Sequence, residues 1–251
     1  MGDVKSMVWG FFKKKRKPAF APDGKRIYAV GDVHGCADLL DLLLDKMADD
    51  GAGEPDARVV FLGDYVDRGP DSKGVIDRLL DIQTSHPETV FLKGNHEAVM
   101  LDFMSDPEKI PSWLKWGGDE TLASYGVLNA NSRPGSELSA ELNANMPPAH
   151  KRFLNGLTLT HAEGDYLFVH AGVKPGVALD NQREEDLLWI RKRFHEAPAS
   201  KRPEQVVVHG HHPVKKPLDA GWRIDVDTGA CWTDRLTAVV LEDDQRRFIS
   251  T

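Results

Sequence analysis

Five short clusters of metal-type side chains are spread along the chain: Asp32-Val33-His34, Asp64 with Asp67, Asn95-His96-Glu97, His170, and His209-Gly210-His211. Taken singly, each has an ordinary use as a turn or as a helix cap. Taken together, Asp, His, Asp, Asn, His and His supply oxygen and nitrogen donors without a thiolate. Such a set suits Mn, Fe, Zn or Mg, and it fits a hydrolytic centre better than a structural zinc. A carboxylate can bridge two cations, so the donors are compatible with a binuclear centre.

Each cluster closes the same kind of segment. Short apolar runs rich in β-branched residues, at 26–30, 59–62, 89–92, 166–169 and 206–208, lead into the five clusters in turn. Runs of this length and composition read as buried strands. Between the first three lie helical stripes: Leu39, Leu40, Leu43, Leu44 and Met47, then Val75, Ile76, Leu79 and Leu80. Strand, helix, strand, helix, strand is the pattern of βαβ units. Ligands of open α/β sheets bind beyond the carboxyl ends of the strands, so one α/β fold can gather all five clusters. Residues 97–160 break the rhythm and read as a helical insertion flanking the site. The runs at 222–226, 236–241 and 246–250 read as strands of a second sheet.

Composition bounds the rest. A chain of 251 residues with 41% hydrophobic content can bury a sizeable core in one large α/β domain. Two cysteines, Cys36 and Cys231, do not make a disulfide scaffold, and a reducing cytoplasm is the expected compartment. No apolar run reaches the roughly 20 residues of a membrane span. The first 26 residues carry +6, against −7 for the whole chain, which leaves −13 for the remainder. An acidic body argues against nucleic-acid binding. Residues 1–24 read as a disordered basic tail, and residues 25–251 as one catalytic domain. The run Lys13–Lys17, which follows Trp9, Phe11 and Phe12, is suited to contact with an anionic membrane surface.

The motifs carry a resemblance. Gly31-Asp32-Val33-His34-Gly35, Gly63-Asp64-Tyr65-Val66-Asp67-Arg68-Gly69 and Gly94-Asn95-His96-Glu97 resemble the three signature blocks of the phosphoprotein phosphatase family. His170-Ala171-Gly172 and Gly210-His211 resemble its last two blocks, and the compact length is similar to the bacterial and phage branch. The resemblance implies a calcineurin-like metallophosphoesterase fold, a central β-sandwich flanked by helices in α/β/β/α layers. It implies that Asp32, His34 and Asp64 bind one metal and that Asp64, Asn95, His170 and His211 bind a second. The cofactors would then be two divalent ions, Mn foremost, with Fe or Zn as the others. A water between the metals would attack phosphorus in line. His96 would be the general acid, held by Asp67, and Arg68, Arg191 and Asn95 would bind the substrate phosphate.

The implied activity is that of a serine/threonine phosphoprotein phosphatase acting on phosphoproteins or phosphopeptides. The alternatives are a symmetrical diadenosine tetraphosphate hydrolase and an inactive phosphate-binding scaffold. That hydrolase usually has alanine in place of Asp67 and aspartate in place of Glu97, which favours the phosphatase. The chain departs from the family pattern at Ala171 and at His212. The neighbouring His209 and His211 compete for one ligand position, for which His211 is favoured. His86, His150, His161 and His195 read as satisfied or solvated, Cys36 as a small buried residue, and Trp113 and Trp116 as core or lid packing. Asp227 reads as a supporting residue rather than a ligand.

Overall fold

The computed structural model describes residues 17–108 and 112–251. The first βαβαβ stretch forms as the sequence expects: β1 (Arg26–Val30), α1 (Ala37–Asp49), β2 (Ala57–Phe61), α2 (Ser72–Ser85) and β3 (Val90–Phe91). α1 buries Ala37, Leu40, Leu43 and Met47, the stripe that a 3.6-residue period produces. α2 starts where the Asp71 carboxylate accepts the Gly74 N–H at 2.8 Å. The insertion follows as α3 (Asn95–Ser105), α4 (Gly118–Ser124), α5 (Gly135–Asn145) and α6 (Pro148–Asn155). Then come β4 (Thr160–Glu163), β5 (Tyr166–Val169), α7 (Glu184–Trp189), α8 (Lys192–His195) and β6 (Val206–His209). The chain ends with β7 (Leu218–Asp219), β8 (Arg223–Asp225), α9 (Ala230–Thr233), β9 (Thr237–Glu242) and β10 (Gln245–Ser250).

Two five-stranded sheets result, ordered β10-β9-β1-β2-β3 and β4-β5-β6-β8-β7. In each, three parallel strands form the part that ends at the site: β1, β2 and β3 in the first sheet, β5, β6 and β8 in the second. The expectation that 222–226, 236–241 and 246–250 share a second sheet is corrected. Only β8 joins it; β9 returns antiparallel to β1, and β10 pairs with β9. Strand alternation builds the layers. Ile27 and Ala29 of β1 meet Tyr166 and Phe168 of β5, Val206 and Val208 of β6, and Val239 and Leu241 of β9 in the core between the sheets. Tyr28 and Val30 face the other way, into the helical layer of α1, α2 and the insertion. Leu167, Val169 and Val207 pack against Leu187, Ile190 and Phe194 of the α7–α8 region on the opposite outer face. The layering is therefore α/β/β/α.

The basic run of residues 13–16 lies outside the described residues, but Lys17 to Gly24 do not behave as a free tail. Ala19 and Ala21 are buried at the edge of the sandwich core. The Ala21 N–H bonds to the Asp243 carbonyl at 2.9 Å and the Tyr166 hydroxyl to the Ala19 carbonyl at 3.2 Å. Ala19 and Ala21 face the core while Phe20 between them is exposed, so this stretch docks although it carries no strand pattern. Among the described residues, no helix is long and apolar enough to cross a membrane.

Candidate metal centre

The five clusters arrive at one place because β1, β2 and β3 of one sheet and β5 and β6 of the other all end there. Asp32, His34, Asp64, Asn95, His96, His170 and His211 are all buried. The loops that carry them turn sharply. His34, Asp64, Asp67, Arg68 and His211 have φ of 47°, 54°, 72°, 71° and 66°, five of the eight left-handed non-glycine residues among those described. Such backbone costs about 1–3 kcal/mol per residue and persists where the surroundings enforce it. Gly94 of the third block lies so close to the Asp64 backbone and carboxylate that a Cβ there would collide with both.

Asp64 stands at the centre. Its Oδ2 lies 3.5 Å from His34 Nε2, 3.4 Å from His170 Nε2 and 4.0 Å from His96 Nε2. Burial disfavours its charge, but the surrounding histidines outweigh that and hold its carboxyl below the usual range. The ring tautomers are set from behind. His34 Nδ1 donates to the Val66 carbonyl at 2.9 Å and His170 Nδ1 to the Leu62 carbonyl at 3.0 Å. Both Nε2 lone pairs are thereby turned toward Asp64, the arrangement by which backbone acceptors orient metal-binding imidazoles. His170 Nε2 also lies 2.9 Å from Asn95 Oδ1 and 3.2 Å from His211 Nδ1. Two ring nitrogens and an amide oxygen converging on one point make sense as ligands of one cation.

Potential ligands thus form two groups that share Asp64: His34, Asp64 and His96, and Asp64, His170 and His211, with the donor atoms of each within 4.8 Å of one another. Asp32 lies alongside, its carboxylate accepting the His211 N–H at 3.0 Å. Burial, Asp227 and Asp64 all push the Asp32 carboxyl well up, and burial pushes Asp227 up to about 6. Three buried carboxylates facing one another call for cations. The residues present therefore fit a metal centre, with Asp64 common to both groups of potential ligands.

His96 differs from the other imidazoles in its partner, a buried carboxylate. Its Nδ1 lies 2.6 Å from Asp67 Oδ2. Burial lowers its basicity, but Asp64 and Asp67 together raise its pKa above the ordinary value. Asp67 in turn is caged by residues that the sequence reading placed in core or lid packing or did not single out. Trp113 Nε1 donates to Oδ2 at 2.9 Å and Thr121 Oγ1 to Oδ1 at 2.7 Å. Ser72 and Thr121 hydroxyls accept the Asp67 N–H. The insertion is thus part of the site, and its Gly117 carbonyl also accepts the Arg68 N–H at 3.1 Å.

Glu97, read from sequence as part of the third cluster and as a discriminator between activities, is a clamp. Its Oε2 accepts N–H groups of Asp64 and Gly94, each at 2.9 Å, and its Oε1 those of Tyr65 at 2.7 Å and Val66 at 3.2 Å. Burial and Asp64 push it up to about 7, against the pull of those donors. The signal was present in the sequence: a glutamate three residues beyond Gly94 can reach back to the start of α3.

Both arginines are at the centre. Arg68 contacts His34 Nε2 and lies 2.9 Å from His96 Nε2, and Arg191 Nε donates to His211 Nε2 at 3.0 Å. His209 is turned away: its Nδ1 bonds to the Gly210 carbonyl and its Nε2 lies 3.2 Å from Arg223 Nη1. His195, expected to be satisfied or solvated, instead has a buried Nε2 with no hydrogen-bond partner. It forms a third group of possible ligands with His209 and Asp225, in which Arg223 already stands 3.5 Å from Asp225. Burial pushes the Cys36 thiol up to about 12, so it has the inert character of a buried cysteine.

A family model described as calcineurin-like phosphoesterase matches residues 25–243. The chain is 30% identical over 224 residues to an asymmetrical bis(5'-nucleosyl)-tetraphosphatase of Halalkalibacterium halodurans, covering 84% of this chain and 87% of that protein. It is 26% identical over 220 residues to serine/threonine-protein phosphatase 1 of Salmonella typhimurium, covering 86% and 92%. Its fold is similar to that of a cold-active protein tyrosine phosphatase, with a TM-score of 0.64, 18% identity, and coverage of 89% of this chain and 78% of the other.

Proposed function

The chain belongs to the calcineurin-like phosphoesterase family, and from that membership we propose that it is a metal-dependent serine/threonine phosphoprotein phosphatase. The observation that carries the reading is the buried His96–Asp67 pair, 2.6 Å apart and biased toward the protonated imidazole. A seryl alkoxide is a poor leaving group and needs a proton as the P–O bond breaks, which is the task of a positioned imidazolium. A nucleotide leaving through a phosphate oxygen needs that proton far less. Two divalent cations, when bound, would neutralise phosphate charge and bring the pKa of water toward neutrality.

The chain's own residues have separable roles in this reading. Asp64 joins the two ligand groups. As the family resemblance implies, Asp32 and His34 would join it at one metal, and Asn95, His170 and His211 at the other. Arg68 and Arg191 grip phosphate oxygens with their guanidinium forks, and Asn95 is also within reach of the phosphate. Asp67 orients His96 and keeps it protonated.

A second reading, hydrolysis of a dinucleoside tetraphosphate, is supported by the relative that carries that activity in its name and spans a similar length. Retention of Asp67 favours the phosphatase. The complete ligand set and acid pair disfavour an inactive scaffold. The test is kcat/KM of the Mn²⁺-loaded protein on phosphoserine, phosphothreonine and phosphotyrosine peptides and on diadenosine tetraphosphate. The phosphoserine or phosphothreonine peptide should lead. Equal or better cleavage of the dinucleotide overturns the reading, and no turnover of any substrate returns the scaffold.

A further inference from the structure

Among the described residues, three tryptophans are substantially exposed: Trp116 at 40%, Trp189 at 38% and Trp232 at 62%. All three stand around the metal-type cluster. Trp232, on α9, lies under the Arg68 guanidinium, 5.0 Å from ring centroid to Cζ. Trp189, at the end of α7, meets His211 edge-on at 6.1 Å between centroids. Trp116 meets Trp189 at 6.0 Å and 62°, which makes a corner of two indoles. Trp116 also precedes Gly117, whose carbonyl anchors the Arg68 backbone.

The arrangement is two-sided. On the His34 side an indole backs Arg68; on the His211 side two indoles stand beside the residue that Arg191 contacts. Large exposed indoles cost solvation, and a cluster of them at the mouth of a polar site marks a binding surface. The chemistry on offer is a flat π face next to a phosphate-gripping guanidinium. Trp232 is separated from the histidines by the thickness of Arg68. The group it meets is therefore displaced from the reacting phosphorus rather than bonded to its ester oxygen. A nucleobase, joined to the terminal phosphate through ribose and further phosphates, has that displacement, and every base has a π face to stack. A phosphotyrosine ring does not have it.

We infer that the rim of this site is a nucleobase-stacking subsite, with Trp232 as one wall and the Trp116–Trp189 corner as the other. Nucleoside polyphosphates would bind with phosphates on the centre and bases on the rim. The inference rests on the phosphate-handling reading of the centre but not on phosphoproteins being the substrate.

The measurement is calorimetric binding of ADP and of pyrophosphate to the full chain loaded with Mn²⁺. The two ligands share the diphosphate and differ by the nucleoside. One stacked base adds about 5- to 150-fold in affinity. ADP should therefore bind tighter than pyrophosphate by a factor in that range. ADP carries one base, so at least one of Trp232→Ala and Trp116→Ala should shrink the ratio by about 5-fold or more. Trp232→Phe and Trp116→Phe should retain most of it. A ratio near one in the native protein overturns the inference. So does a ratio unmoved by both alanine variants, or an equal loss of ADP and pyrophosphate binding, which would mean that the indoles shape the centre itself. A maintained ratio in a protein that fails to cleave phosphopeptides sinks the phosphatase reading and leaves the subsite standing. Failure of both ligands to bind sinks the subsite together with the phosphate-handling reading.

Discussion

Glu97→Gln tests the idea that one buried carboxylate joins the second and third motif loops. The native side chain accepts four backbone N–H groups, two on each oxygen, from Gly94, Asp64, Tyr65 and Val66. Glutamine fills the same volume but has one acceptor oxygen. If that oxygen serves Tyr65 and Val66, the amide group faces Asp64 and Gly94 donor to donor. Two buried N–H groups then lose their partner, at about 1–3 kcal/mol each. The two bonds that survive lose their charge assistance. The variant should be destabilised by about 2–6 kcal/mol, which in a domain of this size lowers Tm by about 5–20 °C. Glu97→Asp, one methylene shorter, should fall in the same direction, because the carboxylate no longer spans from α3 to the loop after β2. Thermal unfolding followed by circular dichroism, with chelator and with Mn²⁺, is the assay. Mn²⁺ should bind more weakly to both variants, since the Asp64 backbone is part of what Glu97 holds. A Glu97→Gln protein that melts within about 2 °C of wild type would refute the reasoning. It would mean that Glu97 is already protonated in the native protein, the direction in which burial and Asp64 pull it.

His96→Asn should slow phosphoserine-peptide hydrolysis by about 10²–10⁴-fold and p-nitrophenyl phosphate distinctly less, because p-nitrophenolate leaves without a proton; equal slowing on both would remove the acid role. Thr121→Val with Trp113→Phe should reproduce that substrate bias in weaker form at unchanged metal content, since these residues touch Asp67 rather than the ligand groups; loss of metal instead would mark them as structural. Asp64→Asn should lower bound metal after dialysis more than Asn95→Ala does, because Asp64 belongs to both ligand groups and Asn95 meets one; comparable metal contents would end the shared role. Away from the site, burial works against the Asp50 charge, but the bonds from Arg247 and Tyr28 prevail and hold its carboxyl below the usual value. Its contribution is therefore present above the unfolded pKa near 3.8 and is lost as pH falls through the lower folded value. With solvent screening it is worth about 0–1 kcal/mol, so Asp50→Asn should melt slightly earlier at pH 7, with the gap closing as pH falls below 3.8 in parallel melts.

The strands that end at the site were legible because each is a short apolar run followed at once by a polar cluster. β1 and β5 have the expected bounds for that reason. The side chains gathered at the centre were legible for the same reason, as clusters closing those strands, while their division between two metals came from the family resemblance. Sheet membership was not legible. The runs that became β8, β9 and β10 are similar in length, and only pairing partners more than 200 residues away send β9 back to β1. Trp113 and Thr121 were invisible as partners of Asp67 because the contacts cross 46 and 54 residues. A tryptophan that donates one hydrogen bond reads, in sequence, like any other core residue. The docking of Ala19 and Ala21 was missed because two alanines between prolines and a basic run carry no periodic signal.

The left-handed backbone at His34, Asp64, Asp67, Arg68 and His211 has a consequence for protein engineering. Each of these positions is one where glycine relaxes the chain and where the native side chain is part of the centre. At Asp67 that relief is offset, because glycine would also strip Trp113, Thr121 and His96 of the buried carboxylate they bond to. Strain relief and lost hydrogen bonds therefore oppose one another inside the centre. Libraries built on this scaffold should hold those five codons fixed and seek thermal gains at Asn129, Asp234 and Asp243, left-handed positions outside the centre.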